Sequence, residues 1–177
     1  MRGEKIIDDA IRKVKDFPKK GVLFYDITGL LIKPDAFNYC IKKMIERYEN
    51  KNIDRIAAIE ARGFLFASPL AYHLGIPITL VRKKNKLPGE TIKKTYSLEY
   101  GEDSIEIHKS DVLRGEKIVV VDDLIATGGT ISAACELIES VGAEIEEVFA
   151  VIGLPFLNYG KTLSKYKIKT LVEYDEE

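Results

Sequence analysis

Tryptophan is absent from the 177 residues, and cysteine, methionine and histidine occur only twice each. Cys40 and Cys135 lie far apart and make no disulfide framework. The expectation is a reduced, cytoplasmic protein. No apolar run approaches the ~18 residues of a membrane-spanning helix. The opening MRGEKIIDDAIRKVK mixes acids with bases and lacks the apolar core of a signal peptide. Repeats, low-complexity tracts and Gly/Ser linkers are also missing, so a single domain over 1–177 is expected. Charge of one sign is not in excess: 27 basic residues face 28 acidic ones. That balance argues against a dedicated nucleic-acid binder. What is present is 46% hydrophobic residues, which excludes a disordered polymer and suffices for a core without staples.

Ile6, Ile7, Ala10, Ile11 and Val14 share one face of a short amphipathic helix, broken by Phe17-Pro18-Lys19-Lys20-Gly21. Val22 to Ile27 is extended. Asp35 can cap a helix with Phe37, Cys40, Ile41, Met44, Ile45 and Tyr48 along one stripe, so Cys40 reads as core. Arg55–Ile59, Ile78–Val81, Lys117–Val121, Val148–Ile152 and Lys169–Tyr174 read as strands. Helices are expected over Phe64–Leu74, ended by Gly75, and over Thr130–Val141, ended by Gly142. Arg82 to Glu90 is basic and turn-rich, and Thr95–Tyr100 with Ser104–His108 forms a hairpin around Gly101. Strands alternating with helices predict an α/β fold with a mainly parallel central sheet flanked by helices. Ligands of such sheets bind at the carboxyl ends of the strands.

The strongest local feature is Ile118-Val-Val-Val-Asp-Asp-Leu-Ile-Ala-Thr-Gly-Gly-Thr130. A buried strand ends in two acids, and a small-residue turn opens a helix. A helix start exposes unpaired amides and partial positive charge, and glycines let the backbone approach a bound group. The bland alternative is an ordinary junction with Thr130 as cap. The acid pair and the hydrophobic strand favour a phosphate cradle over Ala126, Thr127, Gly128, Gly129 and Thr130. Asp122 and Asp123 are placed to accept hydrogen bonds from sugar hydroxyls. Other nucleotide motifs fail. No GxGxxG follows a strand, and Pro155 stands where a Walker loop ending at Gly160-Lys161-Thr162 needs glycine. His73 and His108 read as surface or packing residues, and no Ser-His-Asp grouping stands out.

The acid-pair cradle resembles the signature of the type I phosphoribosyltransferases, which bind 5-phosphoribosyl 1-diphosphate with Mg²⁺. Four further segments resemble the adenine-specific members in particular. They are Phe17-Pro-Lys-Lys-Gly-Val-Leu-Phe-Tyr-Asp-Ile-Thr28, Glu60-Ala-Arg-Gly-Phe-Leu-Phe66, Arg82-Lys-Lys-Asn-Lys-Leu-Pro-Gly89 and Tyr96-Ser-Leu-Glu-Tyr-Gly101. All stand in the family's order and span most of Phe17 to Gly142. Tyr25 replaces a usual Arg, Gly29 a usual Pro and Ala61 a more usual Ser.

The resemblance implies the type I fold, with a small N-terminal hood over 1–34 and a flexible lid and β-hairpin arm over 83–108. It implies transfer of a phosphoribosyl group from the diphosphate to adenine, giving AMP and diphosphate. Ala126 to Thr130 would hold the 5-phosphate, and Asp122 and Asp123 the ribose. Arg62, Arg82, Lys83 and Lys86 would hold the diphosphate. Leu23, Phe24, Tyr25 and Leu124 would frame adenine, with Leu23 and Tyr25 acting through their backbones. Glu99 would manage the purine proton beside Tyr100. Mg²⁺ would be held by substrate and water rather than by a protein cage. A homodimer without nucleic-acid or membrane partners is implied. Two alternatives stand beside this one: a phosphoribosyltransferase for xanthine or for hypoxanthine and guanine, and a non-catalytic regulator sensing the ribosyl diphosphate. Lys83 to Lys94 is expected to make few packed contacts, so that deleting Lys84 to Lys94 leaves the sheet standing.

Overall fold

The computed structural model describes residues 2–97 and 101–175. The chain opens with α1 (Arg2–Asp8), β1 (Arg12–Lys15), β2 (Leu23–Asp26), α2 (Thr28–Leu31) and α3 (Pro34–Tyr48). It continues through β3 (Arg55–Ile59), α4 (Gly63–Leu74), β4 (Ile78–Lys83), β5 (Thr91–Ser97) and β6 (Glu102–His108). Then come β7 (Lys117–Ile125), α5 (Gly129–Ser140), β8 (Glu144–Gly153), a 3₁₀ turn at Pro155–Leu157, α6 (Tyr159–Thr162) and β9 (Ile168–Glu173).

The apolar runs of the sequence become the centre of a seven-stranded sheet of order β5-β6-β4-β3-β7-β8-β9. Strands β4, β3, β7, β8 and β9 are parallel, and the β5–β6 hairpin adds antiparallel to β4. Period-two alternation divides the core. Ile56, Ala58, Val119, Val121, Phe149 and Val151 face one cluster with α1, α3 and α4. Ala57, Ile59, Ile118, Val120, Val148 and Ala150 face another with α5 and the hairpin. Burial on both faces is why these strands read as continuous apolar runs. The parallel strands bring the turns after β3, β4 and β7 to one end of the sheet.

Several boundaries differ from the sequence reading. The first helix ends at Asp8, and Val14 lies in β1, where pairing with Phe24 replaces the helical face. Helix α3 begins at Pro34 after Lys33, with no side-chain cap, so Asp35 sits in the first turn rather than capping it. The strand predicted to end at Val121 continues to Ile125. The largest difference is at the edge. β5 begins at Thr91, and Thr91 to Lys94 pair with Ile105 to His108. Ile92 packs on the core, while Ile105 and Ile107 are buried. Excising Lys84 to Lys94 would therefore remove half a strand, and only residues 84–90 remain as a connecting turn.

A bulge in the β7–β8 register at Ile118/Val119 turns Glu147 toward α3. Glu147 is 2% exposed. It accepts a bidentate pair from Arg47 and a hydrogen bond from the Tyr48 hydroxyl at 2.6 Å. Desolvation works to raise its pKa, but the bonds from Arg47 and Tyr48 outweigh it and hold the carboxyl below the usual range. Glu147→Ala should destabilise the fold by about 2–4 kcal/mol at neutral pH, by leaving a buried hydroxyl and a half-buried guanidinium unpaired. The wild-type advantage should be full above the ordinary glutamate value of 4.5 and decline as pH falls through the lower folded-state value. Denaturant unfolding across that range measures it, and equal stability at pH 7 would refute the role.

Candidate active site

The site begins where β7 outruns its hydrophobic stretch. Asp122 and Asp123 remain within the strand, so their positions are fixed by pairing with β8. Asp123 is 4% exposed and accepts a 2.6 Å bond from the Arg62 Nε. The Asp122 carboxylate accepts the Asp123 amide at 2.8 Å. Burial, then the neighbouring charge of Asp123, pushes the Asp122 carboxyl well above the usual carboxylate range. Arg62 stands just before α4, on the turn after β3. That turn lies hard against β7. A Cβ on Gly63 would meet the Val121 carbonyl at 2.7 Å and the Asp122 Cα at 3.2 Å.

Glu60, on the same turn, accepts from the Arg82 Nε at 3.0 Å and from the Lys83 amide at 2.9 Å. A second Arg82 nitrogen donates to the Lys86 carbonyl at 3.4 Å. Desolvation would raise Glu60, yet the Lys83 amide and the Arg82 guanidinium hold it below the usual range. Arg82 is thereby committed to tying the 84–90 turn to the turn after β3. Lys83 takes a different direction and pairs with Asp103 at 3.3 Å. Lys86 is exposed at its side chain, and its amide donates at 2.9 Å to Glu106, a carboxylate only 1% exposed.

At the cradle, Gly128 adopts φ +82° at the start of α5, which no side chain caps. Its missing side chain also leaves room for Tyr159 of α6 and for Leu163 just after it, which a Cβ would meet at 3.1–3.4 Å. Ala126 to Thr130 line a small recess of about 100 Å³ with Asp122 and Leu124. These residues lead into α5, and a helix start leaves its first amides without intrahelical partners, as an anion site requires.

Beside it opens a cavity of about 480 Å³. Four carboxylates line it, Glu60, Asp103, Asp122 and Asp123, together with the cations Arg62 and Lys83 and the hydroxyls of Tyr96 and Thr130. Of the expected site residues, Arg62, Lys83, Asp122, Asp123, Leu124, Ala126 and Thr130 thus share one cavity. Arg82 and Lys86 are not part of its lining: the Arg82 guanidinium is held by Glu60, and the Lys86 side chain is exposed. Phe24 and Tyr25 do not reach it either. The Phe24 ring meets the Phe17 edge at 5.0 Å, and Tyr25 is buried in a 4.2 Å stack on Tyr174. Leu23 lines a separate recess of about 370 Å³ with Lys15, Asp16, Gly21 and Val22. Glu99 and Tyr100 lie outside the described residues. A depression of about 470 Å³ along β9 rivals the cavity in volume but brings only that strand's residues together, with no acid–base convergence.

Sequence reasoning assigned no role to Tyr96, Asp103 or Glu60. Tyr96 donates at 3.4 Å to Asp103, its cross-strand partner, and accepts from the Thr130 hydroxyl at 3.0 Å. A signal existed: Ile92 and Tyr96 are four apart in a strand, so both face the helix that begins at the cradle.

A phosphoribosyl transferase domain matches residues 27–171. The adenine phosphoribosyltransferase of Treponema denticola is 59% identical over 98% of this chain and 92% of its own length. The chain belongs to the adenine phosphoribosyltransferase family. The crystal structure of the Thermoanaerobacter pseudethanolicus member superposes with a TM-score of 0.92 at 49% identity, covering 96% of this chain and 99% of that one. A Saccharomyces cerevisiae member, solved with adenine and an imino-altritol bisphosphate, gives 0.90 at 37% identity over 97% and 99% of the two chains. The type I phosphoribosyltransferase fold, with its mostly parallel sheet, and the pentosyltransferase class of enzyme follow from this membership.

Two outcomes follow from the geometry. Gly63→Ala should destabilise the fold by about 1–3 kcal/mol, since backbone must move to admit the methyl, and should separate Arg62 from Asp123. Denaturation and initial rate on one sample measure this; unchanged values for both would contradict the close approach. Asp122→Asn keeps an oxygen for the Asp123 amide and removes a charge that the fold disfavours. It should raise the melting temperature at neutral pH. The gain should shrink as pH falls through the raised folded-state value and vanish below the ordinary aspartate value of 3.8, where the wild-type carboxyl is protonated in both states. A lowered melting temperature at neutral pH would show that the ionised form is favoured instead.

Proposed function

We propose that the cavity transfers a phosphoribosyl group from 5-phosphoribosyl 1-diphosphate to adenine, releasing AMP and diphosphate. The observation that carries this reading is the convergence of the acid pair, Arg62, Lys83 and the cradle end Thr130 on one cavity. The anomeric carbon–oxygen bond breaks ahead of bonding to the base nitrogen, so positive charge develops on the ribose. Asp123, ion-paired with Arg62, supplies fixed negative charge beside it, and Asp122 and Asp123 accept the ribose hydroxyls. The cradle amides and Thr130 fix the 5-phosphate, which holds the sugar in place during the displacement. Arg62 and Lys83 meet the departing diphosphate as planar fork and mobile ammonium respectively. Arg82 serves indirectly, by fixing the turn next to Lys83. Leu124 supplies an apolar wall.

Mg²⁺ fits the donor set. The cavity offers hard oxygen ligands, and its carboxylates outnumber its cations although the ligand is an anion. Asp122 and Asp123 would stand nearest an ion held chiefly by substrate oxygens and water. When bound, it would neutralise charge on the diphosphate.

We also read the chain as one domain whose first 34 residues form the base-side hood, and as a homodimer. Leu65 and Tyr72, 43% and 91% exposed and two turns apart on α4, support an apolar contact with a second copy. The buried free thiols of Cys40 and Cys135 suit a reducing cytoplasm.

Initial rates with adenine, hypoxanthine and guanine test the reading. Adenine should be preferred by roughly 10⁴-fold, because a 6-oxo base would leave buried polar groups unpaired in a site built for a 6-amino group. Comparable turnover of hypoxanthine would overturn the base assignment.

A further inference from the structure

The cradle and Lys83 are joined by an unbroken polar chain. The Thr130 hydroxyl donates to the Tyr96 oxygen at 3.0 Å. The Tyr96 hydroxyl donates to the Asp103 Oδ2 at 3.4 Å, and the Lys83 ammonium reaches that same oxygen at 3.3 Å. The other Asp103 oxygen is held by the Ser104 amide at 2.8 Å. Asp103 is therefore pinned, and its Oδ2 is shared between Tyr96 and Lys83. Burial raises the Tyr96 pKa, so the phenol stays a proton donor at working pH.

We infer that Tyr96 and Asp103 are positioning residues that couple anion binding in the cradle to diphosphate binding at Lys83. The inference rests on the phosphoribosyl-transfer reading of the cavity and goes beyond it. Thr130 has one hydroxyl proton, and at rest Tyr96 takes it. A phosphate in the cradle is an acceptor and needs that proton. Lys83 is equally committed at rest, to Asp103. When a diphosphate draws Lys83 away, Asp103 loses its counter-charge. A phenol donating to an uncompensated carboxylate closes to about 2.5–2.7 Å, so the present 3.4 Å bond has room to shorten. Tyr96 then moves off Thr130 and releases the hydroxyl to the cradle. In the other direction, phosphate capturing Thr130 frees Tyr96 to satisfy Asp103, which loosens Lys83. Each ligand thus removes a contact that opposes the other. A weakened polarisation along the chain acts in the opposite sense, but such cooperative terms change a bond by only about 10–30%. The exchange of partners decides the sign.

The probes are ribose 5-phosphate for the cradle and magnesium diphosphate for the Lys83 side, titrated calorimetrically into the full chain. The dissociation constant of each is measured with and without a saturating amount of the other. The ratio is the coupling factor, and linkage requires the same value from either direction. Direct repulsion between two anions lowers this factor in every variant, so the comparison between variants carries the test. Tyr96→Phe keeps the ring and removes the hydroxyl; Asp103→Asn keeps the shape and removes the shared charge. Each should lower the coupling factor by about 5-fold or more, the lower end of typical couplings. Tyr96→Phe should leave ribose 5-phosphate alone bound as tightly as in wild type, or tighter, because Thr130 is released, and Asp103→Asn should leave it close to wild type, because Tyr96 still accepts from Thr130. An unchanged factor in both variants overturns the relay, as does a factor that rises. Failure of both probes to bind the wild-type chain would instead remove the phosphoribosyl reading on which the relay stands.

Discussion

The rest of the site depends on how closely the turn after β3 approaches the end of β7. Only a residue without a Cβ fits between Arg62 and the α4 backbone, because the Val121 carbonyl and the Asp122 Cα lie in the way. That approach puts the Arg62 Nε 2.6 Å from Asp123. It also places Glu60 to hold Arg82 and the Lys83 amide, which sets the start of the 84–90 turn. The parallel pairing of β4, β3 and β7 makes it possible, since each strand delivers its turn to the same end. One glycine thus ties together the acid pair, Arg62 and the turn beyond β4.

The charges of the cavity are arranged as internal pairs. Arg62 is held by Asp123 and Lys83 by Asp103, while Glu60 pairs with Arg82, which lies outside the lining. A cavity meant for a polyanion would be expected to present its cations unopposed. Here each cation is kept in place by an acid, so its geometry exists before the anion arrives. The cost is competition: any anion drawn to Lys83 must displace its carboxylate partner or share it. Both groups of that pair touch solvent, where such bridges are worth about 0–1 kcal/mol, so the exchange is inexpensive. The Arg62–Asp123 pair is different, because Asp123 is nearly fully buried. Breaking it would strand a charge, which makes Arg62 a fixed post and Lys83 the movable one.

Most of the central sheet was legible because its information is local. The run Lys117 to Val121 can only be a strand buried on both faces, and the acids, glycines and threonines after it carry the chemistry of the cradle in their order. The arm was legible in kind but not in extent. Lys93 and Lys94 look like part of a basic loop until Glu106 and Glu136 are known to pair with them. Arg82 and Lys86 share a motif with Lys83, yet the Arg82 guanidinium is held by Glu60 and the Lys86 amide by Glu106, some twenty residues away in either direction. Tyr96 stood within a quoted motif, but its value comes from Thr130 on another element, which no spacing along the chain reveals.

The two hood departures from the family pattern have a common structural basis. Tyr25 stacks on Tyr174 of the C-terminal segment, whose hydroxyl donates to Asp8 at 2.6 Å while the Lys13 ammonium sits 4.7 Å above its ring. Gly29 lies where a Cβ would run into the Ala10 carbonyl and the Arg12 side chain. Both positions therefore face the N-terminal segment as it leaves α1, and both are settled by how tightly that segment wraps the hood. An arginine at 25 would place a charge in a buried aromatic stack, and a proline at 29 would push Ala10 outward. The identity of residue 25 accordingly reports on packing between the chain's two ends. Its strand pairs with β1 on one side and meets no other strand among the described residues.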